Sequence, residues 1–294
     1  MIVFITAITI FGTIGILRKY IPMPSSVLAF VRGFLGAAVL LIFIKIKEKK
    51  GKSSDSRTDR ASRIKRKTLV KLVISGIIIG FNWIMLFEAY NYTTVAAATL
   101  CYYMEPTILV LVSPVIFRER LTLKKLLCAA TAVLGMAFVS GIFNSGSGSG
   151  SDMRGILLSL GAAAMYASVV IINKTISGID AYRKTMIQLA SAAIIMIPYI
   201  LLTEDLSQLS FNVTAVLLML LLGIVHTGMT YAMYFGSMEG LKMQTIALFS
   251  YIDPVVTLIL SALILKEPLS IYGIVGAVLI IGAAVFSETD LKHE

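Results

Sequence analysis

YYMEPTILVLVSPVIFRERL, from Tyr102 to Leu121, has a second version in the same chain, SYIDPVVTLILSALILKEPL, from Ser250 to Leu269. An ungapped offset of 148 residues sets Tyr103 on Tyr251, Glu105 on Asp253, Pro106 on Pro254, Ser113 on Ser261, Arg118 on Lys266, Glu119 on Glu267 and Leu121 on Leu269. Upstream the same offset pairs Gly80 with Gly228, Met85 with Met233, Phe87 with Phe235 and Leu100 with Leu248. Apolar composition gives scattered matches, but it does not place an acid before a proline in mid-run and a basic-Glu pair after it at one spacing. The pattern is an internal duplication, and a repeat of half the chain excludes short solenoid units.

Of 294 residues, 57% are hydrophobic and 14% charged, with a mean hydropathy of +0.89. A globular domain carries about a quarter charged residues, so the solvent for most of this chain is lipid. Apolar runs of about 18 residues or more cross roughly 30 Å of hydrocarbon. Strand barrels would instead show short alternating segments, so the spans are helical. Ten runs are expected: Ile2–Leu17, Val27–Ile46, Leu69–Tyr90, Val95–Phe117, Leu126–Ile142, Gly155–Ile176, Thr185–Leu202, Val213–Phe235, Met243–Leu265 and Tyr272–Phe286. The first lacks a basic leader and a small-residue cleavage site and reads as a helix rather than a removed signal.

The linker FNSGSGSGSD, ending at Asp152, is flexible and polar. It divides the chain into a first five-helix repeat over 1–142, a linker over 143–152 and a second repeat over 153–294. Five spans is an odd number, so the second repeat enters the membrane the opposite way up. The expected fold is an all-α membrane protein with ten transmembrane helices as two inverted five-helix repeats. Such repeats place a site near the midplane between the halves and work by alternating access.

Lys and Arg total 26. With both termini cytoplasmic, all of them fall in inside loops or the inside tail except Arg18, Lys19, Arg154, Lys266 and the intrahelical Arg32, which satisfies the positive-inside rule. A multi-pass protein of a bacterial-type cytoplasmic (inner) membrane, with N- and C-termini inside, is the expected placement. The net charge of +10 is concentrated in the Lys45–Lys71 loop. That loop has no aromatic residues for base stacking and suits anionic lipid, so no nucleic-acid partner is expected. Cys101 and Cys128 read as packing residues. No Cys/His spacing suggests a metal, and no cofactor is expected.

The segments FEAYNYTTVAAATLCYYMEPTILVLVSPVIFRERLT and FGSMEGLKMQTIALFSYIDPVVTLILSALILKEPLS resemble the drug/metabolite transporter superfamily, in its ten-helix EamA-type branch. There an aromatic-x-(Glu/Asp)-Pro helix ends in a Glu-(Arg/Pro)-Leu turn once per half. The resemblance extends to VLAFVRGFLGAA, which contains Arg32, and to GILLSLGAAAMYASVVIINK. It implies transport rather than catalysis, with exporters of amino acids and drugs and importers of other metabolites in the family. Phe11 stands where many members carry Trp, and Gln188 where an Arg would recur.

The residues point to a site independently. Charge at membrane depth costs about 2.5 to 3.5 kcal/mol on insertion scales and needs a partner, a cavity or a proton. Glu105 and Asp253, equivalent in the repeat, are candidates for substrate binding and for proton coupling. Pro106 and Pro254 disturb the carbonyls four residues back, at Tyr102 and Ser250. Trp83, Tyr102, Tyr103, Tyr166, Tyr231 and Tyr251, with Asn82, supply flat faces and polar tips that hold a cationic or zwitterionic solute. Arg32 reads in two ways, as a structural charge that snorkels or neutralises Glu88, or as a contact for a substrate carboxylate. His226 is either a hydrogen-bonded packing residue or a proton carrier. Glu119 and Glu267, beside Arg118 and Lys266, read as ion pairs anchoring loops. The runs Ala96–Thr99 and Gly161–Ala164 read as close-packing surfaces.

No HExxH, Ser/His/Asp set or paired-acid motif supports an enzyme, and no GxxxxGK[ST] supports direct use of ATP. The expected function is secondary export of small amphiphilic metabolites such as amino acids or organic amines. The expected partners are the bilayer, a small-molecule substrate and protons. The alternative is transport of an anionic or lipid-linked, sugar-nucleotide type substrate, or import of a small metabolite.

Overall fold

The computed structural model describes residues 2–51, 64–105, 107–108, 112, 115–116, 123–139, 150–176, 178–209, 212–238, 252–267 and 270–288. Pro106, Ser113, Arg118, Glu119, Leu121, Tyr251 and most of the Gly/Ser linker, all singled out from sequence, lie outside the described residues. Among the described residues the regular structure is helical. Six helical spans are long and apolar enough to cross a membrane: Ile2–Lys19, Ser25–Lys49, Arg66–Tyr92, Met153–Asn173, Ala181–Thr203 and Val213–Tyr234. Shorter apolar helices, Leu126–Gly135, Ile252–Ile264 and Ile271–Ala283, overlap three more of the expected runs.

The first span is two helices, α1 (Ile2–Phe11) and α2 (Ile14–Lys19), broken at Gly12–Thr13. Then come α3 (Ser25–Gly51) and α4 (Arg66–Tyr92). Thr94 caps α5 (Val95–Tyr102), its hydroxyl accepting the Ala97 N–H. The helix α5 stops four residues ahead of Pro106, at the residue whose carbonyl a proline ring displaces. In the rest of the chain, α6 is Leu123–Val139, α7 Gly150–Lys174 and α8 Ala181–Thr203, whose first amides are capped by Asp180. The eighth run is three pieces: α9 (Val213–Leu220), a π-helical stretch (Leu221–Met229) and α10 (Thr230–Met238). Finally come α11 (Ile252–Ile264) and α12 (Ile271–Glu288).

Several of the larger helix contacts come in pairs related by exchanging the halves. α4 packs on α7 as α1 packs on α10; α4 packs on α8 as α3 packs on the π stretch; α5 packs on α7 as α1 packs on α11. The pairs α3 with α8, α5 with α11 and α6 with α12 each map onto themselves.

Lipid tails are as apolar as Leu, so helices here associate through close van der Waals approach at small residues. An added Cβ on Gly76 would lie 2.3 Å from the Gln188 carbonyl oxygen, so α4 and α8 meet backbone to backbone. Ala162 and Ala163 are wholly buried, and a Cβ on Gly161 would meet Met85 at 2.3 Å, so this run does pack closely. Leu134, Leu157, Ile194, Leu202, Leu217 and Val278 face outward, the surface a bilayer covers.

One end of the bundle is tied by polar contacts between helices. Arg18 donates to the Ile21 carbonyl and to Ser25, Ser25 donates to Glu88 at 2.9 Å, and Asn91 donates to Glu88 at 3.1 Å. Glu88 is thus engaged by Ser25 and Asn91. At the same end Ser26 donates to Glu204. Glu267 corrects its sequence reading. Its carboxylate accepts the Val95 N–H at 2.9 Å and the Ala96 N–H at 3.4 Å, so it caps α5 across the chain rather than pairing with its neighbour Lys266. Lys266 takes φ 54°, the left-handed conformation common after a helix end, and turns Glu267 toward that cap. Opposite charge at a helix N-terminus and a satisfied amide are together worth about 1 kcal/mol. Glu267→Ala should therefore lower the melting temperature in detergent by a few degrees, and Glu267→Gln by less. Equal melting of all three proteins would remove the capping role.

Candidate functional site

Arg32, on α3, is 4% exposed and points inward. Its Nε donates to Thr227 Oγ1 at 2.9 Å, and its guanidinium carbon sits 4.4 Å from the Trp83 ring centroid and 5.4 Å from that of Phe87. Among the described residues no carboxylate lies within 4 Å of it, so the Glu88 pairing expected from sequence is replaced by aromatic faces. Thr227 can receive this donor because it lies in the π stretch. There its own hydroxyl donates five residues back, to the Leu222 carbonyl at 2.9 Å, and Thr230, at the start of α10, does the same to Val225. Wide turns of this kind often mark functional sites.

Asn82 lies one residue from Trp83 on α4 and is fully buried. Its Nδ2 donates to the Ala162 carbonyl at 2.5 Å, while its Oδ1 has no hydrogen-bond partner among the described residues. Buried acceptors are rarely left so, and Asn82 also lies beside Tyr102. The Tyr102 ring is 5.9 Å from Tyr166 of α7 and 6.2 Å from Tyr103, the latter edge-on. Glu105, half-buried, is close enough to Tyr102 and Tyr166 to act on both electrostatically. Asp253, also half-buried, lies beside Tyr103 and has Thr257 Oγ1 at 3.4 Å. Arg32 lies within electrostatic range of Asp253 and Tyr231. Tyr231, on α10, packs on Phe11 with ring centroids 5.3 Å apart.

The structure therefore gathers Arg32, Asn82, Trp83, Tyr102, Tyr103, Glu105, Tyr166, Tyr231 and Asp253 from both halves around one interior region. Tyr251 lies outside the described residues. His226 sits at its edge with both ring nitrogens engaged, Nδ1 with the Leu221 carbonyl at 3.2 Å and Nε2 with Thr13 Oγ1 at 2.8 Å. A carbonyl only accepts, so Nδ1 carries a proton toward Leu221, while the single Thr13 hydroxyl proton has two acceptors at 2.8 Å, the Ile10 carbonyl and Nε2. Thr13, Thr227, Thr257 and Phe87 also belong to this region. In an apolar run a lone Thr signals little, because its hydroxyl can bond its own helix, and only the break at Gly12 and the His226–Thr227 step offer a hint.

Two segments, 1–141 and 153–289, match the model of the EamA-like transporter family. An uncharacterized transporter, YxxF of Bacillus subtilis, is 28% identical over 94% of this chain and 85% of its own length. Protein PecM of Dickeya dadantii is 24% identical over 72% of this chain and 71% of its own, and Protein RarD of Salmonella typhi 22% over 66% and 64%. A protein crystal structure with 20% identity superposes with a TM-score of 0.64, covering 97% of this chain and 95% of the other, and shares the fold. Helices long enough to span a bilayer, a polar interior drawn from both halves and these matches agree: the chain belongs to the EamA-like transporter family within the drug/metabolite transporter superfamily, and is a multi-pass membrane transporter rather than an enzyme.

Proposed function

We propose that this transporter is a secondary exporter of small amphiphilic metabolites, amino acids or organic amines, working by alternating access in a bacterial-type inner membrane with both termini cytoplasmic. The observation that carries the reading is the interior region holding both signs of charge among aromatic rings: Arg32 on Trp83 and Phe87, with Glu105 and Asp253 among the tyrosines. A zwitterion or amine meets its needs there, an ammonium on the carboxylates and tyrosine faces and a carboxylate on the guanidinium. Ten spans arranged as inverted repeats over 1–142 and 153–294, joined by 143–152, are supported by the exchange-paired helix contacts. Glu105 and Asp253 exchange protons with the substrate or with the gradient, and His226, at the edge of the region, is a third carrier.

The test is counterflow in proteoliposomes with a panel of labelled amino acids and amines. The unmodified protein should exchange a cationic or zwitterionic solute, and Glu105→Gln should lose at least tenfold of that exchange together with its pH dependence. Wild-type exchange by the variant removes Glu105 from the mechanism. Exchange of anions alone moves the substrate to the anionic or lipid-linked class.

A further inference from the structure

The break in the first span sits against Asp253. A Cβ on Gly12 would lie 2.9 Å from the Asp253 carbonyl oxygen and 2.8 Å from Val256 Cβ, so the two backbones touch at that point. Buried beside them, Thr257 Oγ1 is 2.9 Å from the Gly12 carbonyl oxygen and 3.4 Å from Asp253 Oδ1. A hydroxyl has one proton to donate and here faces two acceptors. Gly12 lies ahead of α2, so its carbonyl stands outside that helix's own ladder.

From this juxtaposition we infer that Thr257 is a positioning residue that reports the charge state of Asp253 to the break at Gly12–Thr13. The inference rests on Asp253 being a proton-coupling residue. A charged Asp253 draws the Thr257 proton to its own oxygen, which loosens the Gly12 carbonyl and the hinge between α1 and α2. A neutral Asp253, protonated or capped by a cationic solute, leaves that proton on Gly12 and closes the hinge. The titratable and charged groups facing Asp253 are Tyr103 just past the end of α5, Tyr90 from α4 and Arg32 from α3. Arg18 and Lys19, on α2, act on Glu88 and Glu267 instead. Tyr231 and Tyr234, on α10, meet Phe11 at the end of α1. His226 holds the other side of the same break through Thr13. The break is thus gripped from two helices, and Thr257 is the contact that also touches an acid.

The experiment is hydrogen exchange of the full-length protein in nanodiscs, followed by mass spectrometry on peptides covering Ile8–Leu17. Rates are normalised to the intrinsic rate at each pH between about 5 and 9. The unmodified protein should show a step, with exchange about fivefold faster on the high-pH side, the change in opening that one hydrogen bond governs. Thr257→Ser should keep the step, and Thr257→Val should exchange at the fast level throughout. A step retained in Thr257→Val but absent in Asp253→Asn overturns the relay and leaves Asp253 as the titrating group. A step retained in Asp253→Asn overturns the proton-coupling role of Asp253 itself. A flat profile in the unmodified protein overturns the relay, and counterflow of Asp253→Asn then tests the coupling role separately.

Discussion

Arg32→Met should melt at the same temperature as the unmodified protein or a higher one, and yet lose transport. Burying a guanidinium is penalised by several kcal/mol, and among the described residues no carboxylate within 4 Å offsets it. What holds Arg32 is the Trp83 and Phe87 faces, worth about 2 kcal/mol when desolvated, and one charged hydrogen bond to Thr227, worth about 1.5–3 kcal/mol. Methionine fills a similar length and keeps a favourable sulfur contact with the rings. Thr227 keeps its bond to Leu222 and is not orphaned. Replacing buried charge by an apolar side chain of similar volume is often neutral or stabilising by about 1–4 kcal/mol. If the charge holds the substrate's anionic end, its removal should reduce exchange at least about 30-fold, since truncating one partner of a buried charged pair costs about 2–5 kcal/mol. Arg32→Lys should rescue little, because an ammonium lacks the planar stacking surface. A Met variant that fails to fold would make Arg32 structural, and one that transports normally would take it out of the site.

Gly76→Ala should be the most destabilising glycine-to-alanine substitution among the described residues. The new Cβ would lie 2.3 Å from the Gln188 carbonyl oxygen and 2.7 Å from Ser191 Cβ, and a backbone atom cannot swing aside as a side-chain tip can. Parting α4 from α8 would also stretch Gln188 Nε2 from Ser75 Oγ, now at 2.7 Å, and disturb the partner bond from Gln188 to Asn173 at 2.9 Å. Overpacking and the strained buried bonds together predict a loss of about 3 kcal/mol or more. Gly282→Ala is the control, since nothing lies within 4 Å of its added Cβ. There alanine should gain up to about 1 kcal/mol from helix propensity. Thermal melts of the two variants in one detergent decide the matter, and equal melting temperatures would refute the close approach of α4 and α8.

Lipid solvent makes the spans legible in the sequence, because each must be both apolar and helical, and duplication makes Glu105 and Asp253 legible as a pair. The aromatic set is legible because Trp and Tyr at depth need partners for their polar atoms. Two features depend on which helices meet, and no local pattern carries that information. Arg32 lies near enough to Glu88 in span depth to suggest an ion pair, yet Glu88 is held by Ser25 and Asn91 while Arg32 stacks on Trp83. Glu267 has a basic residue beside it, yet its turn aims it at amides in the other half. The break at Gly12–Thr13 and the π stretch fall inside runs whose mean hydropathy stays high despite Thr13, His226 and Thr227, so hydropathy passes over both.

The nine residues from Leu221 to Met229 hydrogen-bond five residues apart where an α-helix would bond four. The stretch thereby sets the angular phase of all that follows in α10. A residue's direction turns by about 100° per position along an α-helix, so the widened turn rotates Tyr231 and Tyr234 relative to α9 without changing a single side chain. Relaxing that stretch to α-helix would swing both rings off Phe11 and carry Thr227 away from Arg32 in the same motion. The composition of the site is therefore written partly in the pitch of one helix.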